Sequence, residues 1–450
     1  MSEHLQQFKN GFVKGDWITR LSYFILGAGA FLRGQIAKGL SLLGLQIAFF
    51  YYLFTSGISR IKGLVTLGTQ EQGRVFDEAK EIYIYTQGDN SMLFLLFGVL
   101  AIIIIVGFIV LYFKNIKLAM HNEALVKEHK KLPNLREEIK SLMDDKFHIT
   151  ILFLPTVFAF LFTILPLIFM ILIAFTNFDK NHQPPGNLFT WVGLRNFKNM
   201  LYGNPLISKT FFSLLRWTFI WAAFATFANY ILGMLLAMLI NMKGIKLKKM
   251  WRTIFVITIA VPQFVSLLLM AQLLHDLGPV NVLLQKYGIV DQAVKFLSNG
   301  KNAKIVVIIV NLWVGVPYTM LITSGILMNI PEDMYEAARI DGASPWTQFV
   351  KITLPYMLSV TAPYLITQFI GNINNFNVIY LLTGGGPLNL KYYQAGETDL
   401  LVTWLYKLSL NEKNYAMASS LGILIFIISA SLSLIVFNKT MKDGKESTFQ

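Results

Sequence analysis

Glu336-Ala337-Ala338-Arg339-Ile340-Asp341-Gly342, followed ten residues on by Ile352-Thr353-Leu354-Pro355, is a polar helical insert between two strongly apolar segments. Such an insert is either a docking surface or a solvated loop. Pro331 suits a first helical position, Glu332 and Asp333 then fall in the positive first turn, and Gly342 supplies the left-handed residue that ends a helix. Ser344-Pro345 starts a second short helix in the same way. Ala337 and Ala338 leave the backbone uncovered for close approach by a partner, with Arg339 and Asp341 offering charge around it.

Outward from this insert the chain reads as a membrane protein. It is 54% hydrophobic and 14% charged over 450 residues, with mean hydropathy +0.54. Apolar runs near the ~20 residues that cross a bilayer recur along it. Eight spans are expected, around 38–56, 91–113, 149–176, 211–240, 253–274, 304–328, 356–382 and 416–437. The runs are continuous rather than alternating, so helices and not a barrel are expected. With both termini inside, cytoplasmic segments hold 23 of the 39 Lys and Arg and outer loops hold 14. The net charge of +14 then reads as topology and contact with anionic lipid, not nucleic-acid binding.

The apolar run Leu21–Leu32, between Arg20 and Arg33, is too soon followed by a full span to be a cleaved signal, and is expected to lie amphipathically on the inner surface. The division expected is 1–35 as a cytoplasmic or interfacial segment, 36–113 as two leading spans and 114–148 as a charged linker interrupted by Pro133. A six-span core over 149–440 with the docking loop at 329–355, and a tail at 441–450, complete it. Gly384-Gly385-Gly386-Pro387 ends the seventh helix.

Catalytic signatures are missing. There is no G-x4-GK[ST] phosphate loop, no zinc spacing among six histidines, no G-x-S-x-G turn and no cysteine. His275-Asp276, the nearest thing to an acid-base pair, reads as a polar cap at the outer end of the fifth span. Intramembrane polarity is concentrated elsewhere. In the seventh span Gln368, Gly371, Asn372 and Asn375 recur every three or four residues, on one face. The sixth span offers Asn311, Val314, Gly315 and Tyr318, with Gly315-Val316-Pro317 expected to loosen the helix. Uncharged amides can donate to and accept from sugar hydroxyls, and a tyrosine ring can stack on an apolar sugar face. Interhelical hydrogen bonding that merely holds the bundle together is the competing reading.

Taken whole, EAA-x3-G-x9-I-x-LP resembles the cytoplasmic signature of permease subunits of bacterial ABC importers. Asn311-Leu312-Trp313-Val314-Gly315-Val316-Pro317-Tyr318, Asn372-Ile373-Asn374-Asn375-Phe376 and Leu382-Thr383-Gly384-Gly385-Gly386-Pro387 with Ala395–Val402 are similar to the larger permease of the maltose/maltodextrin importer. The resemblance implies an all-α membrane protein of eight helices in the bacterial cell membrane, a six-helix core preceded by two extra spans. It implies a sugar site at Asn311, Val314, Gly315, Tyr318, Gln368, Gly371, Asn372 and Asn375. It also implies coupling through Glu336, Ala337, Ala338, Asp341, Gly342, Ile352, Leu354 and Pro355 to a dimer of ATPase subunits, which hold ATP and Mg while this chain binds no cofactor. A second permease subunit and an extracellular sugar-binding protein are the other partners implied. Gln368 and Gly371 depart from the enterobacterial pattern, which has a small hydroxyl residue and an aromatic there, and the 177–210 loop lacks that subunit's large folded insertion. Import of another oligosaccharide is the nearest alternative. An ion-coupled transporter would need buried acids that the core spans lack, and a membrane enzyme would need a clustered catalytic set.

Overall fold

The computed structural model describes residues 2–446 apart from Ala79 and Lys243. It forms two compact units, residues 1–192 and 193–450. Among the described residues seven helices are long and apolar enough to cross a membrane, and a bent pair makes up to eight.

The first unit begins with α1 (Ser2–Lys14), α2 (Trp17–Leu21) and α3 (Ala28–Phe31). The span α4 (Ile36–Thr66) follows. After a hairpin of β1 (Gly73–Asp77) and β2 (Ile82–Thr86) the chain enters α5 (Ser91–Lys127), then α6 (Leu135–Met143) and the span α7 (Phe147–Ile173). The hairpin is the one sheet among the described residues.

The 21–32 run, expected to be an amphipathic segment, is not one continuous helix. It is a turn-rich segment in which Leu26, Ala28 and Ala30 are buried while Phe24, Ile25, Phe31 and Leu32 stay exposed. Gly27 takes φ +81° and donates its N–H to the distant Asn115 Oδ1 at 2.9 Å, and the Gly39 carbonyl lies where a Cβ would go. Asn115, Ile116, Ala119, Asn122 and Glu123 are buried, giving the polar stretch after Lys114 a packed face. Helix α5 therefore continues to Lys127, as a polar helical stretch interrupted at Pro133 predicts, but the compact division falls at Val192 and not in 114–148. Pro133 does interrupt helix, lying between α5 and α6.

The second unit holds α8 (Pro205–Asn241), with a π-helical stretch at Phe224–Ala228, then α9 (Lys248–Ala260), α10 (Gln263–Leu273) and α11 (Pro279–Lys286). Next come α12 (Gly300–Leu327), α13 (Glu332–Ile340), α14 (Pro345–Ile373), α15 (Phe376–Thr383), α16 (Leu401–Tyr406) and α17 (Tyr415–Glu446). Most of the expected tail is thus helix, and residues 447–450 lie outside the described ones.

Two expected spans are broken. The fifth is the pair α9 and α10, bent by 87°. Pro262 brings no N–H and forces Val261 into an extended conformation, φ −75° and ψ 125°. The seventh stops at Ile373 and resumes at Phe376, with Asn375 capping the new start. The sixth, in contrast, is not loosened. Helix α12 runs unbroken through Pro317, and the Thr319 hydroxyl sits 3.2 Å from the Gly315 carbonyl and 3.0 Å from that of Val316.

The core of this unit is built on α8. Trp217 and Trp221 pack with Leu267, Val307, Val310, Val378 and Ile379, bringing α10, α12 and α15 together. Lower on α8, Gly233 lets α12 approach so closely that a Cβ would strike the Thr319 hydroxyl and the Met320 backbone nitrogen. On the other side Phe211, Leu214, Ile373, Trp404, Leu408 and Leu421 tie α14, α16 and α17 to it. Gly384, at φ +58°, ends α15 where the glycine run predicts, and Gly385 leaves room for the Asp399 carboxylate. That carboxylate meets Lys407 Nζ at 2.6 Å, the Gly396 N–H at 2.7 Å and the Thr403 hydroxyl at 2.8 Å. Burial pushes its carboxyl up even so, against the pull of Lys407 and the donors.

Candidate functional site

Irregular backbone converges on one cavity of about 160 Å³ in the second unit. The π-helical stretch of α8 contributes Thr226, with Asn229 just after it, and the kink before α10 contributes Gln263. Helix α12 adds Asn311, Gly315 and Tyr318; α14 adds Tyr364, Gln368 and Asn372; the break after it adds Asn375. No lining residue is charged. Membrane helices interrupt themselves where released backbone groups face a cavity, and three interruptions meet here.

Six of the eight sequence-predicted residues line this cavity, and Val314 and Gly371 do not. Val314 packs on the apolar cluster of Leu267 and Val310. Gly371 is exposed, with open space where a side chain would start. Asn375 is also not on a continuous face with Asn372, as the spacing predicts. Its Oδ1 accepts from the Val378 N–H at 3.2 Å as a helix cap, and its Nδ2 donates to Asn372 Oδ1 at 3.2 Å. Asn372 in turn donates to the Thr226 hydroxyl at 3.0 Å and takes the Trp221 indole N–H on its carbonyl at 3.1 Å. These two amides therefore hold helices together as well as facing the cavity.

Three other lining groups have no such partner. Asn229 Oδ1, Asn311 Nδ2 and the Tyr364 hydroxyl are buried without a protein hydrogen bond. A buried polar group left unpaired costs about 1–3 kcal/mol, so a ligand able to pair with all three has a built-in advantage. An acceptor, a donor and a hydroxyl suit a polyol, whose O–H groups both give and take. Gly315 makes room for the Asn229 amide, which a Cβ would strike. Sequence reading misses Thr226, Asn229, Gln263 and Tyr364, although Pro262 in an apolar run and Asn229 in the fourth span were available signals. At about 160 Å³ the cavity falls below the ~300 Å³ floor of ordinary ligand pockets.

The docking insert lies in the same unit. Pro331 precedes α13 by one position, with φ −57° and ψ 130°, leaving Glu332 first, which corrects the expectation by one residue. Gly342 has φ +76°, and Ser344 caps the next helix by accepting from the Thr347 N–H at 3.2 Å, as the sequence predicts. Glu336, Ala337, Asp341, Gly342 and Pro355 are exposed, while Ala338, Ile352 and Leu354 are half-buried. Around them Ile340 is 86% exposed and Trp346, in the first turn of α14, is 71% exposed, a large apolar display. The Tyr335 hydroxyl pairs with buried Thr353 at 2.8 Å, tying α13 to the base of α14. Elsewhere, Asp276 takes the Ser298 hydroxyl at 2.6 Å, and the His275 ring accepts from the Leu277 N–H, so no acid-base pair forms there.

The binding-protein-dependent transport system inner membrane component family matches residues 229–441, which contain the insert and the cavity-lining residues from Asn229 onward. The galactooligosaccharides transport system permease protein GanP of Bacillus subtilis is 34% identical over 433 residues, 96% of this chain and 99% of the relative. The chain belongs to that family. The maltodextrin transport system permease protein MalC of Streptococcus pneumoniae is 35% identical over 425 residues, covering 92% of this permease and 94% of the relative. Among solved structures, the bacterial ABC transporter involved in import of the acidic polysaccharide alginate has a chain that superposes with a TM-score of 0.55 at 22% identity. That match covers 67% of this permease and 98% of that chain, a likeness of fold. The permease is thus a multi-pass, all-α membrane component of a binding-protein-dependent transport system.

Proposed function

We propose that this permease forms one wall of the path by which maltose or maltodextrins enter the cell, paired with a second permease subunit that completes the site. The observation that carries the reading is the uncharged cavity with unpaired polar atoms on Asn229, Asn311 and Tyr364. A neutral hydroxyl-rich ligand pairs with such groups, whereas an acidic one would sit among them without a countercharge. In this reading both termini face the cytoplasm, the six-span core runs from 149, and an extracellular binding protein delivers the sugar.

The driving force comes from an ATPase pair holding ATP and Mg, docked on Glu336–Gly342 and the apolar surface around it. From Pro345 to Gln368 the chain is helical without a break, roughly 35 Å at 1.5 Å per residue. A push on α13 reaches the cavity wall through that one helix. Galactooligosaccharides are the second reading, favoured by the likeness to GanP over nearly its whole length. Uptake of labelled maltotriose by the reconstituted complex, competed by graded maltodextrins and by galactooligosaccharides, decides between them. Maltodextrins should compete at far lower concentration, and the reverse order overturns the first reading.

A further inference from the structure

A second cavity lies in the first unit, away from the site above. It measures about 610 Å³ at the junction of the start of α4 and the segment that follows α5. Arg33, Lys38, Lys130 and Lys131 line it, against one carboxylate, Glu138. Arg33 is spoken for: its guanidinium holds Asp16 at 2.7 Å and the Ala119 carbonyl at 3.0 Å. Lys38 and Lys130 pair with Glu138 at 2.5 Å and Glu128 at 2.7 Å. Lys131 is exposed and makes no ion pair among the described residues. The cavity wall also includes the first turn of α4, Ile36 to Lys38. Gln35 cannot cap that turn, because its amide is engaged with the Pro133 carbonyl and with Asn122.

An apolar track leaves this cavity along the membrane helix. Ile36, Leu40, Leu43, Ile47, Phe50 and Phe54 follow one another at spacings of four and three, on a single face of α4. Ile36 lines the basic cavity, Leu40 and Leu43 a groove of about 180 Å³, and Leu43 to Phe54 a groove of about 570 Å³. The two grooves share Ile25 and Leu43. Head-sized space with cationic walls, one helical turn along α4 from an acyl-sized apolar track, suits one molecule.

We propose that this cavity and groove bind an anionic glycerophospholipid, its phosphate by Lys130, Lys131 and Lys38 and one acyl chain along the α4 stripe. In the orientation given above the lipid belongs to the inner leaflet, where basic pockets between helix ends take anionic head groups. Free phosphate would account for the lysines but not for the groove, and the proposal therefore commits to lipid.

The test is native mass spectrometry of the full chain in its importer complex, loaded with phosphatidylglycerol or phosphatidylcholine. The wild type should retain phosphatidylglycerol preferentially. Lys130→Gln with Lys131→Gln, at an exposed turn, should cut that preference roughly 30-fold and leave phosphatidylcholine retention unchanged. Leu43→Trp, which fills the groove, should lower retention of both lipids alike. Equal retention of the two lipids by wild type, an unchanged preference in the lysine variant, or displacement of the lipid by soluble glycerol phosphate would each overturn the proposal.

Discussion

Asn311→Leu and Asn372→Leu look alike in sequence, yet the structure separates them. Asn311 Nδ2 is buried with no protein partner, so exchanging the amide for a side chain of similar bulk removes an unpaired donor. That change should leave stability unaltered or raise it by up to about 2 kcal/mol. Asn372 loses its bonds to Thr226 and Asn375, at 3.0 and 3.2 Å, and leaves both partners unpaired. At about 1 kcal/mol each, this variant should be destabilised by about 2 kcal/mol. If both amides face sugar, uptake should fall in both variants. A sugar hydroxyl left unpaired costs about 1–3 kcal/mol, or roughly 5- to 150-fold. Thermal unfolding in detergent, measured beside uptake by reconstituted complexes, reads the two effects separately. The signature expected is opposite stability shifts with a shared loss of uptake. Asn311→Leu melting below wild type while importing normally would refute the reasoning and make that amide a structural tie.

Gly342→Val should weaken ATPase binding and transport, because φ +76° costs a side chain about 1–2 kcal/mol; since a Cβ there meets nothing, Gly342→Asn should recover most of both in a pull-down and uptake assay. The chain has no cysteine, so a thiol placed at Ile289, 66% exposed, should react with an impermeant reagent on intact cells, whereas one at Ile340 should react only after the membrane is opened. Burial pushes the Asp16 carboxyl up, but the Arg33 guanidinium and the Thr19 donors outweigh it and hold it below its usual range. Its stabilising contribution is therefore complete above about pH 4 and lost as acid protonates it. Asp16→Asn should melt below wild type at pH 7, with the gap closing toward pH 3.

The membrane class and the helical architecture were legible because bilayer thickness and helix rise fix the length of each apolar run. The helix-turn-helix geometry of the 331–348 insert was legible for a different reason. Gly342 and Ser344 act through backbone geometry and local hydrogen bonds, which depend on a few neighbours in sequence. Where tertiary partners decide, the reading failed. The charged stretch after Lys114 looked like a linker, yet Asn115 and Asn122 serve as buried hydrogen-bonding groups for Gly27 and Gln35. Nothing near them in the chain announces those partners.

The α8 and α10 walls of the cavity went unread, while on α12 and α14 the sequence named one residue each, Val314 and Gly371, that does not line it, and those two errors share a cause. Asn311, Gly315 and Tyr318 form a stripe at spacings of four and three, as do Gln368, Asn372 and Asn375. Val314 and Gly371 each sit one position before the middle of a stripe, about 100° around the helix from it. Three-residue spacing admits them, but the rotation carries Val314 to the apolar cluster and Gly371 to open space. The same ambiguity hid the break at Asn375, since a cap three residues after Asn372 has the spacing of a residue inside the same helix. Only an amide that caps and faces the cavity at once satisfies both patterns. That double use explains why the helix breaks at the site: a continuous turn would satisfy the Val378 N–H within the helix and release Asn375 from it.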